Sequence, residues 1–302
     1  MITTNNNPPL VSVAILTYNQ EEFLREALET VLSQNYSNIQ IVVGDDCSTD
    51  GTQAMLKEYE KNYPGKFVLH LAEKNSGITR NSNIIHKSCT GKYIAWLGGD
   101  DLFNPGKLEK QVAFLEANPD HNIVYHNLDV FESPSGKHLF YFNNRRNTYT
   151  GNVKMLIKHG TFNGACSTMV RRSASPQYGF DESIPVASDW LYWVEHLAKG
   201  GKIGYINEVL GKYRRHDKNV TSGISAHAPQ GYIDLLTTCK ILQQKYPQYQ
   251  KEINHRLSII YRTGRKYCYF KNLVKSLRYN IFNLPAGAVL AIHLLSFKKV
   301  KL

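Results

Sequence analysis

Two pairs of adjacent aspartates are the residues of this sequence best suited to metal or nucleotide chemistry. Asp100 and Asp101 follow two glycines, Gly98 and Gly99, directly after an apolar run. Neighbouring carboxylates repel each other unless a cation or hydrogen-bond donors stabilise them, and glycines let a ligand approach the backbone closely. Oxygen ligands suit Mg²⁺ or Mn²⁺, with substrate phosphates completing the coordination shell. The pattern predicts a metal-binding turn, and a solvated acidic turn is the alternative.

The second pair, Asp45 and Asp46, opens another acidic turn after an apolar run. Ser48, Thr49 or Asp50 could cap a helix that begins near residue 52. Capping does not explain the two aspartates, which precede the cap positions. A carboxylate at this point could accept the ring N–H of a pyrimidine base.

The elements that must position these residues alternate between strand and helix. The sequence predicts strands over residues 11–16, 39–43, 67–71 and 92–97, and helices over 21–34, 52–63, 81–88 and 105–117, with Pro105 in a first helical turn. This alternation predicts an α/β fold, with a mostly parallel sheet and helices on both faces. Ligands of such sheets bind beyond the carboxyl ends of the strands. We therefore expect the polar turns at 17–19, 45–46 and 98–101 to converge on one rim.

The second half of the chain is less regular. Residues 123–131 and 137–142, joined by a Ser-Pro-Ser-Gly turn, are typical of a strand pair, and residues 188–199 of a helix. From about residue 229 the pattern is helical. The simplest organisation is one catalytic domain with a helical C-terminal extension.

Composition excludes several classes of protein. Five cysteines stand singly without a Cys-x-x-Cys pair, which argues against a disulfide framework and a thiolate zinc site and favours a reducing compartment. The first residues contain neither a basic segment nor an apolar run, so no signal peptide is expected. We predict a cytoplasmic location.

The positive charge is concentrated at the C-terminus. The formal net charge is +11, and residues 253–302 contain ten Lys and Arg but no Asp or Glu, so the preceding part is near neutral (+11 − 10 = +1). Residues 281–297 are mostly apolar but include Pro285, too short and broken a stretch for a transmembrane helix. Flanked by Lys298, Lys299 and Lys301, it predicts a helix lying peripherally on the anionic inner membrane face. A packed terminal helix or a dimer contact is the alternative, and the oligomeric state stays open.

Four segments together resemble family 2 glycosyltransferases of the GT-A fold. They are residues 11–19 (VSVAILTYN), 31–34 (VLSQ), 41–52 (IVVGDDCSTDGT) and 91–101 (GKYIAWLGGDD). The resemblance is close over the first hundred residues and looser to about residue 222. It implies a GT-A catalytic domain at 1–222, with a nucleotide-binding half at about 10–118 and an acceptor half at about 119–222. A basic helical extension would occupy 223–302.

The resemblance also implies roles for individual residues on the donor side. Leu16, Thr17 and Tyr18 match the segment that cradles the base, and Asp46 matches the carboxylate that reads it, usually uracil. Arg80 falls where a basic residue contacts base or diphosphate, with a solvated helix-start charge as the alternative. Asp100 would face the ribose, and Asp101 would bind the Mn²⁺ or Mg²⁺ ion that bridges both phosphates.

On the acceptor side, Asp189 matches the general base that opens a helix in this family. Ser188 stands where the family more often has Glu, and a simple helix-capping Asp is the alternative. Tyr213 to His216 resembles the family's Tyr-Arg-x-His element, so His216, Arg214 or Arg215 could ligate the metal or contact the diphosphate; a surface histidine is the alternative. Residues 163–168 match a strand beside the acceptor cleft, where Asn163 or Ser167 would touch acceptor, or else form a buried strand of small residues.

The predicted activity is that of a metal-dependent inverting glycosyltransferase. The resemblance implies transfer of a sugar, as in hexosyltransferases of polysaccharide or O-antigen biosynthesis, from a nucleotide diphosphate donor, with UDP expected. The acceptor would be a hydroxyl of a glycan or lipid-linked glycan, and the product β-linked. A nucleotidyltransferase would normally carry a glycine-rich basic loop after the first strand, where this chain has Thr17-Tyr-Asn. A non-catalytic nucleic-acid-binding protein is disfavoured by the near-neutral body, so no nucleic acid partner is expected.

Overall fold

A computed structural model describes residues 7–217, 219, 228–264, 269–280 and 282–288 of the chain. These residues fall into two compact units. The first, which we call the sheet unit, comprises Met1–Val153 and Thr161–Asn219. The second, which we call the helical unit, comprises Lys154–Gly160 and Val220–Leu302.

The strands of the described chain all lie in the sheet unit. They are β1 (Val11–Thr17), β2 (Ile39–Asp45), β3 (Phe67–Leu71), β4 (Tyr93–Gly98), β5 (Leu102–Phe103), β6 (His121–Glu132), β7 (His138–Tyr141), β8 (Met169–Arg171) and β9 (Lys202–Arg215). The helices in the same part of the chain are α1 (Glu21–Leu32), α2 (Thr52–Asn62), α3 (Ile78–Ser88), α4 (Lys107–Ala117) and, in the acceptor half, α6 (Asp189–Ala198). A short helix, α5 (Val153–His159), begins at the boundary between the units.

The strands form one mixed sheet in the order β3-β2-β1-β4-β8-β6-β9-β5, with β7 paired to β6. The pairs β3–β2, β2–β1 and β1–β4 are parallel, as the strand–helix alternation predicts. β1 lies between β2 and β4, a position that suits its apolar run because both faces of the strand are buried there. Antiparallel strand β8 then joins β4 to β6, and β6 pairs in parallel with β9. The predicted α/β fold with flanking helices is confirmed.

The predicted strand pair at 123–131 and 137–142 is also confirmed. β6 and β7 are antiparallel, with Val130 opposite Phe140. Helix α6 matches the prediction for 188–199, with Ser188 as its N-cap.

Three local predictions were wrong in detail. α4 begins at Lys107 and not at Pro105, because Gly106 has a left-handed φ of 79° that no helical residue adopts. α3 begins at Ile78, three residues earlier than predicted. Residues 163–168 are not a strand: Ala165–Ser167 is a turn of 3-10 helix that leads into β8.

The helical unit contains α7 (Ala228–Lys245), α8 (Gln250–Thr263) and α9 (Tyr269–Tyr279), which confirms the predicted helical C-terminal part. None of the helices among the described residues is both long and apolar enough to cross a membrane. Most of the predicted interfacial helix, including Lys298, Lys299 and Lys301, lies outside the described residues. Of that stretch the structure describes 282–288, where Phe282 is 84% and Leu284 is 77% exposed.

Candidate active site

The loops that follow β1, β2 and β4 meet at the carboxyl edge of the sheet. β1 lies between the other two strands, and the loops are joined by backbone hydrogen bonds. Gly99 donates its N–H to the Leu16 carbonyl at 2.8 Å, and Asp46 donates its N–H to the Thr17 carbonyl at 3.1 Å. The expected convergence of the three polar turns is therefore present in the structure.

The turn after β1 has a polar anchor and an exposed ring. Asn19 adopts a left-handed φ of 52°, and its backbone N–H donates to the Ser48 Oγ at 2.7 Å. Its side-chain Oδ1 accepts the Thr49 N–H at 2.7 Å. These bonds fix the turn while the Tyr18 ring stays 48% exposed. An exposed ring held on a fixed turn is suited to stacking on a base.

Gly99 permits the close approach of the β1 and β4 loops. A Cβ atom at this position would lie 3.0 Å from the Leu16 carbonyl oxygen and 2.8 Å from Gln20 Oε1. Contacts of that length are too short for carbon and oxygen, so any side chain would push the loops apart.

We therefore expect Gly99→Ala to lower the free energy of unfolding by about 1–3 kcal/mol, the usual penalty for overpacking. Gly231→Ala is the matched control, because a Cβ there has no neighbour within 4 Å and the residue lies in α7. Urea unfolding measures both variants. A Gly99→Ala chain as stable as the wild type would mean that the loops tolerate separation.

The two aspartates after β2 have different roles. Asp45 is buried, and its carboxylate accepts bonds from the Ser48 N–H at 2.9 Å and the Gln53 Nε2 at 2.7 Å, so it closes its own turn. Asp46 reaches across to the loop before α3. Its Oδ1 accepts the Ser76 N–H at 2.7 Å, and its Oδ2 accepts the Gly77 N–H at 2.8 Å.

Asp101 is a buried carboxylate held by the chain of Arg214. The Arg214 backbone N–H donates to Asp101 Oδ1 at 3.0 Å, and the Arg214 Nε donates to the Asp100 carbonyl at 2.7 Å. Burial, followed by repulsion from the Asp100 carboxylate, raises the pKa of Asp101 well above its usual range. The ionised form of Asp101 is therefore disfavoured in the folded chain.

Arg214 is itself buried and fully engaged. Its guanidinium forms an ion pair with Glu26 and lies 4.7 Å from the Phe23 ring centroid and 4.8 Å from that of Phe131. Buried guanidinium groups with such partners hold a fixed geometry. Arg214 thus fixes the position of the acidic turn and is committed to protein partners.

Asp100 is held by a segment distant in sequence. Its Oδ2 contacts His216 Nε2 and accepts a bond from Asn219 Nδ2, both at 3.0 Å. The His216 ring also contacts the Phe23 ring at 4.8 Å between centroids. The structure thus brings His216 to the acidic turn, as predicted, and pairs it with Asp100. Sequence reasoning missed Phe23, Glu26 and Asn219, and only the polar residues following His216 gave a signal for the last.

Asp189 is the first residue of α6 and is partly buried. Its Oδ1 accepts the Trp190 N–H at 2.9 Å. Burial raises the pKa of the Asp189 carboxyl, while the backbone N–H groups and the Trp193 indole oppose that rise. A carboxylate in a partly desolvated position binds protons more readily than one in water, which suits a general base.

Hydrogen bonds connect the start of α6 to the loop that holds Asp46. Thr79, in the first turn of α3, contacts the Ser188 Oγ at 2.8 Å and donates to the Ile184 carbonyl at 2.6 Å. Thr79 follows Gly77, whose N–H binds Asp46, by two residues. The start of α6, which carries Asp189, is therefore bonded to the helix that follows the Asp46-binding loop.

The remaining predicted contact residues are Asn163, Ser167 and Arg80. Asn163 and Ser167 are fully buried and bond within their own turn, to Thr168 Oγ1 and the Gly164 carbonyl, which leaves no surface to touch an acceptor. Arg80 is an exposed residue in the first turn of α3. It follows Gly77, which binds Asp46, by three residues.

A comparison with family models decides the family. The model described as glycosyl transferase family 2 matches residues 12–179, more than half of the chain. The chain belongs to glycosyltransferase family 2. Its match includes every strand from β1 to β8 and both acidic turns, and the sheet is of the GT-A type.

Relatives of this family 2 glycosyltransferase domain come from several bacteria. An uncharacterized Mycobacterium tuberculosis protein is 31% identical over 210 residues, which cover 68% of this chain and 59% of the relative. The match thus spans less than two thirds of that longer protein. A Bacillus subtilis relative named for teichuronic acid biosynthesis, the glycosyltransferase TuaG, is 31% identical over 219 residues, covering 72% of this chain and 83% of TuaG.

Two solved structures share the fold at low sequence identity. S. aureus TarS in complex with UDP-GlcNAc is 16% identical, with a TM-score of 0.69 over 89% of this chain and 79% of that one. The mannosyltransferase PcManGT of Pyrobaculum calidifontis, in complex with GDP-Man and Mn²⁺, is 18% identical, with a TM-score of 0.63 over 98% and 82% of the two chains.

Proposed function

We propose that the chain is a metal-dependent glycosyltransferase that moves a sugar from a nucleotide diphosphate, with UDP as the expected nucleotide, to a hydroxyl of a glycan or lipid-linked glycan. The observation that carries the proposal is that the turns bearing Asp46 and Asp101 meet at one edge of the sheet, while the start of α6, which carries Asp189, is hydrogen-bonded to α3. Asp46 and Asp189 are connected through the first turn of α3, and Asp46 and Asp101 through the backbone of β1. A rim with donor-side carboxylates and a separate partly buried carboxylate matches the needs of a sugar transfer.

On the donor side, we assign the base to Leu16, Thr17, Tyr18 and Asp46, the ribose to Asp100 and the diphosphate to Arg80. The exposed Tyr18 ring supports stacking. Each Asp46 oxygen already accepts from the 76–77 loop, and a carboxylate oxygen retains capacity for a further donor such as the uracil N3–H. The solved relatives carry different nucleotides, UDP-GlcNAc and GDP-Man, so uracil depends on Asp46 alone.

The residues at Asp101 fit a divalent cation. The buried carboxylate has a raised pKa and a carboxylate neighbour, so a cation would relieve the repulsion between them. Among the described residues no group of three or more His, Cys, Asp or Glu side chains is arranged to hold a metal. The ion would therefore need donor phosphates as ligands, with Asp101 and, after release from Asp100, His216 from the protein. When bound, Mn²⁺ or Mg²⁺ would supply the positive charge that stabilises the departing diphosphate.

In the proposed mechanism Asp189 takes the proton of the acceptor hydroxyl as its oxygen attacks the anomeric carbon. Asp46 and the Tyr18 turn hold the nucleotide, while Arg214 keeps the Asp100–Asp101 turn in place. One displacement from the face opposite the leaving group inverts the configuration, so an α-linked donor gives a β-linked product. The logic parallels that of inverting glycoside hydrolysis, in which a carboxylate base acts on the face opposite the leaving group.

We further propose the boundaries and location expected from sequence. The catalytic domain would occupy 1–222 and the basic extension 223–302, in a cytoplasmic protein that contacts the inner membrane face. The exposed Phe282 and Leu284 support a contact between the extension and a lipid surface. Transfer of a hexose in polysaccharide or O-antigen biosynthesis is the finer expectation.

A thermal-shift titration with UDP, GDP and dTDP, each with Mn²⁺ and with EDTA, tests the donor site. We expect the unfolding temperature to rise with UDP and Mn²⁺ together, because ligands that bind only the folded state stabilise it. EDTA should remove most of that rise. No shift with any nucleotide would overturn the donor-site assignment, and a larger shift with GDP would overturn uracil.

A further inference from the structure

Strand β7 presents apolar side chains to solvent at an edge of the sheet. Leu139 is 41%, Phe140 50% and Tyr141 55% exposed. Among the described residues β7 pairs with β6, and all of its residues are exposed. We call these three residues the apolar ribbon. Exposed apolar patches on an edge strand mark interaction sites, because they are costly to leave in water.

The sequence that contains the ribbon is basic. Residues 133–180 contain seven Lys and Arg and no Asp or Glu. Lys137 precedes the ribbon, and Arg145 and Arg146 follow it, all three exposed. Two carboxylates of β6 lie in the same hairpin, and both have partners: Asp129 contacts His138 at 2.5 Å, and Glu132 accepts a bond from the Ser135 Oγ at 2.8 Å. A partner with negative charge therefore complements this surface.

The ribbon begins beside the proposed active site. Ser133, at the end of β6, contacts the Arg214 guanidinium at 3.3 Å, and its N–H donates to the Arg215 carbonyl. Antiparallel pairing places Phe140 opposite Val130, three residues before Ser133. At a rise of about 3.3 Å per residue, the ribbon lies about 10 Å from that contact.

We propose that the apolar ribbon and its flanking basic residues dock on an anionic lipid bilayer. Successive side chains of a strand point to opposite faces, so Leu139 and Tyr141 project from one face of β7 and Phe140 projects from the other. A bilayer interface can surround such a ribbon, whereas a glycan or a nucleic acid base stacks on one aromatic face. Aromatic residues with adjacent Lys and Arg are typical of membrane interfaces. A second copy of the chain would bring like charges together.

This docking gives a reason for the acceptor class. If the proposed glycosyltransferase function holds, the rim of the site faces the membrane surface, and the acceptor is the lipid-linked form of the glycan. The docking surface itself depends only on β7 and the residues around it.

Vesicle flotation with the full chain tests the proposal. Phosphatidylcholine vesicles and vesicles that also contain phosphatidylglycerol are compared, at low and at high salt. We expect binding to the anionic vesicles that salt weakens. The double variant Phe140→Ser with Tyr141→Ser, and separately Arg145→Gln with Arg146→Gln, should each reduce the bound fraction at least tenfold.

Two controls make the outcome specific. Tyr178→Ser removes an exposed ring from the same acid-free stretch and should bind like the wild type. A variant with Lys298, Lys299 and Lys301 changed to Gln tests the C-terminal extension, and it should retain the contribution of the ribbon. The Phe140/Tyr141 and Arg145/Arg146 variants should both keep the thermal shift with UDP and Mn²⁺. A failure of the donor site is therefore detected independently of vesicle binding.

Several results would overturn the proposal. One is a wild-type chain that ignores anionic vesicles. Another is vesicle binding that stays unchanged in the Phe140/Tyr141 and Arg145/Arg146 variants but is lost in the C-terminal variant. Two further results would also overturn it: a dimer in sedimentation that Phe140→Ser dissociates, and ribbon-dependent binding of single-stranded RNA without vesicle binding.

Discussion

Asp189→Asn should reduce turnover by roughly 10²- to 10⁴-fold, the usual contribution of a general base. The amide keeps the size of the carboxyl group and an acceptor oxygen for the Trp190 N–H, so α6 should still form. It cannot take a proton from the acceptor hydroxyl. Steady-state release of the nucleotide in the presence of acceptor measures the loss, and nucleotide binding should be unchanged.

Glu195→Gln, on the same helix, is the matched control for this prediction and should retain wild-type turnover. Near-normal turnover of Asp189→Asn would show that the assigned base is wrong. A loss in both variants to the same degree would point to damage of α6.

The pH dependence of turnover follows from the same carboxyl group. Burial raises the pKa of Asp189 above its ordinary value, and a base must be ionised. Activity should therefore be full above the raised pKa and fall as the pH drops through it. The pH profile of turnover measures the position of this acidic limb.

Asp101→Asn should abolish the Mn²⁺-dependent part of UDP binding and reduce transfer by about 10³-fold, because several kcal/mol of leaving-group stabilisation are lost. Asparagine can still accept the Arg214 N–H bond. The thermal-shift titration and the transfer assay measure the two effects together. Asp120→Asn is the control, since Asp120 pairs with Lys202 and His121 on the surface.

The direction of the change in unfolding temperature distinguishes a metal-binding role of Asp101 from a structural one. The raised pKa of Asp101 means that its ionised form is disfavoured in the folded chain. Without nucleotide, the neutral amide should therefore unfold at the same temperature as the wild type or a higher one. A lower unfolding temperature, with transfer lost in proportion, would mean that Asp101 mainly holds the turn.

Local sequence patterns are enough to predict the parallel part of the sheet and the position of the acidic turns. Short apolar runs such as residues 11–16 and 39–43 have few alternatives to buried strands, and the helices between them make those strands parallel. The carboxyl ends of such strands meet at one edge. The positions of Asp46 and Asp101 on a common rim follow from these local patterns.

Local patterns failed where contacts between distant residues decide the backbone. Residues 163–168 are small and apolar enough for a strand, yet Asn163, Ser167 and Thr168 bond to their own turn instead. In helix α1 the neighbours Phe23 and Leu24 differ in the same way: Leu24 is fully buried, whereas Phe23 contacts the His216 ring. The contact of Phe23 depends on a residue far away in the sequence, which the helical pattern does not reveal.

The contacts that hold the site join residues far apart in the sequence. His216 and Asn219 contact Asp100 from 116 and 119 positions away, and Ser188 contacts Thr79 from 109 positions away. No periodicity or spacing encodes such pairs, because they depend on how β9 and α6 pack beside elements that lie much earlier in the sequence. The sequence specifies which carboxylates are available, and long-range packing sets their distances, their burial and therefore their pKa values.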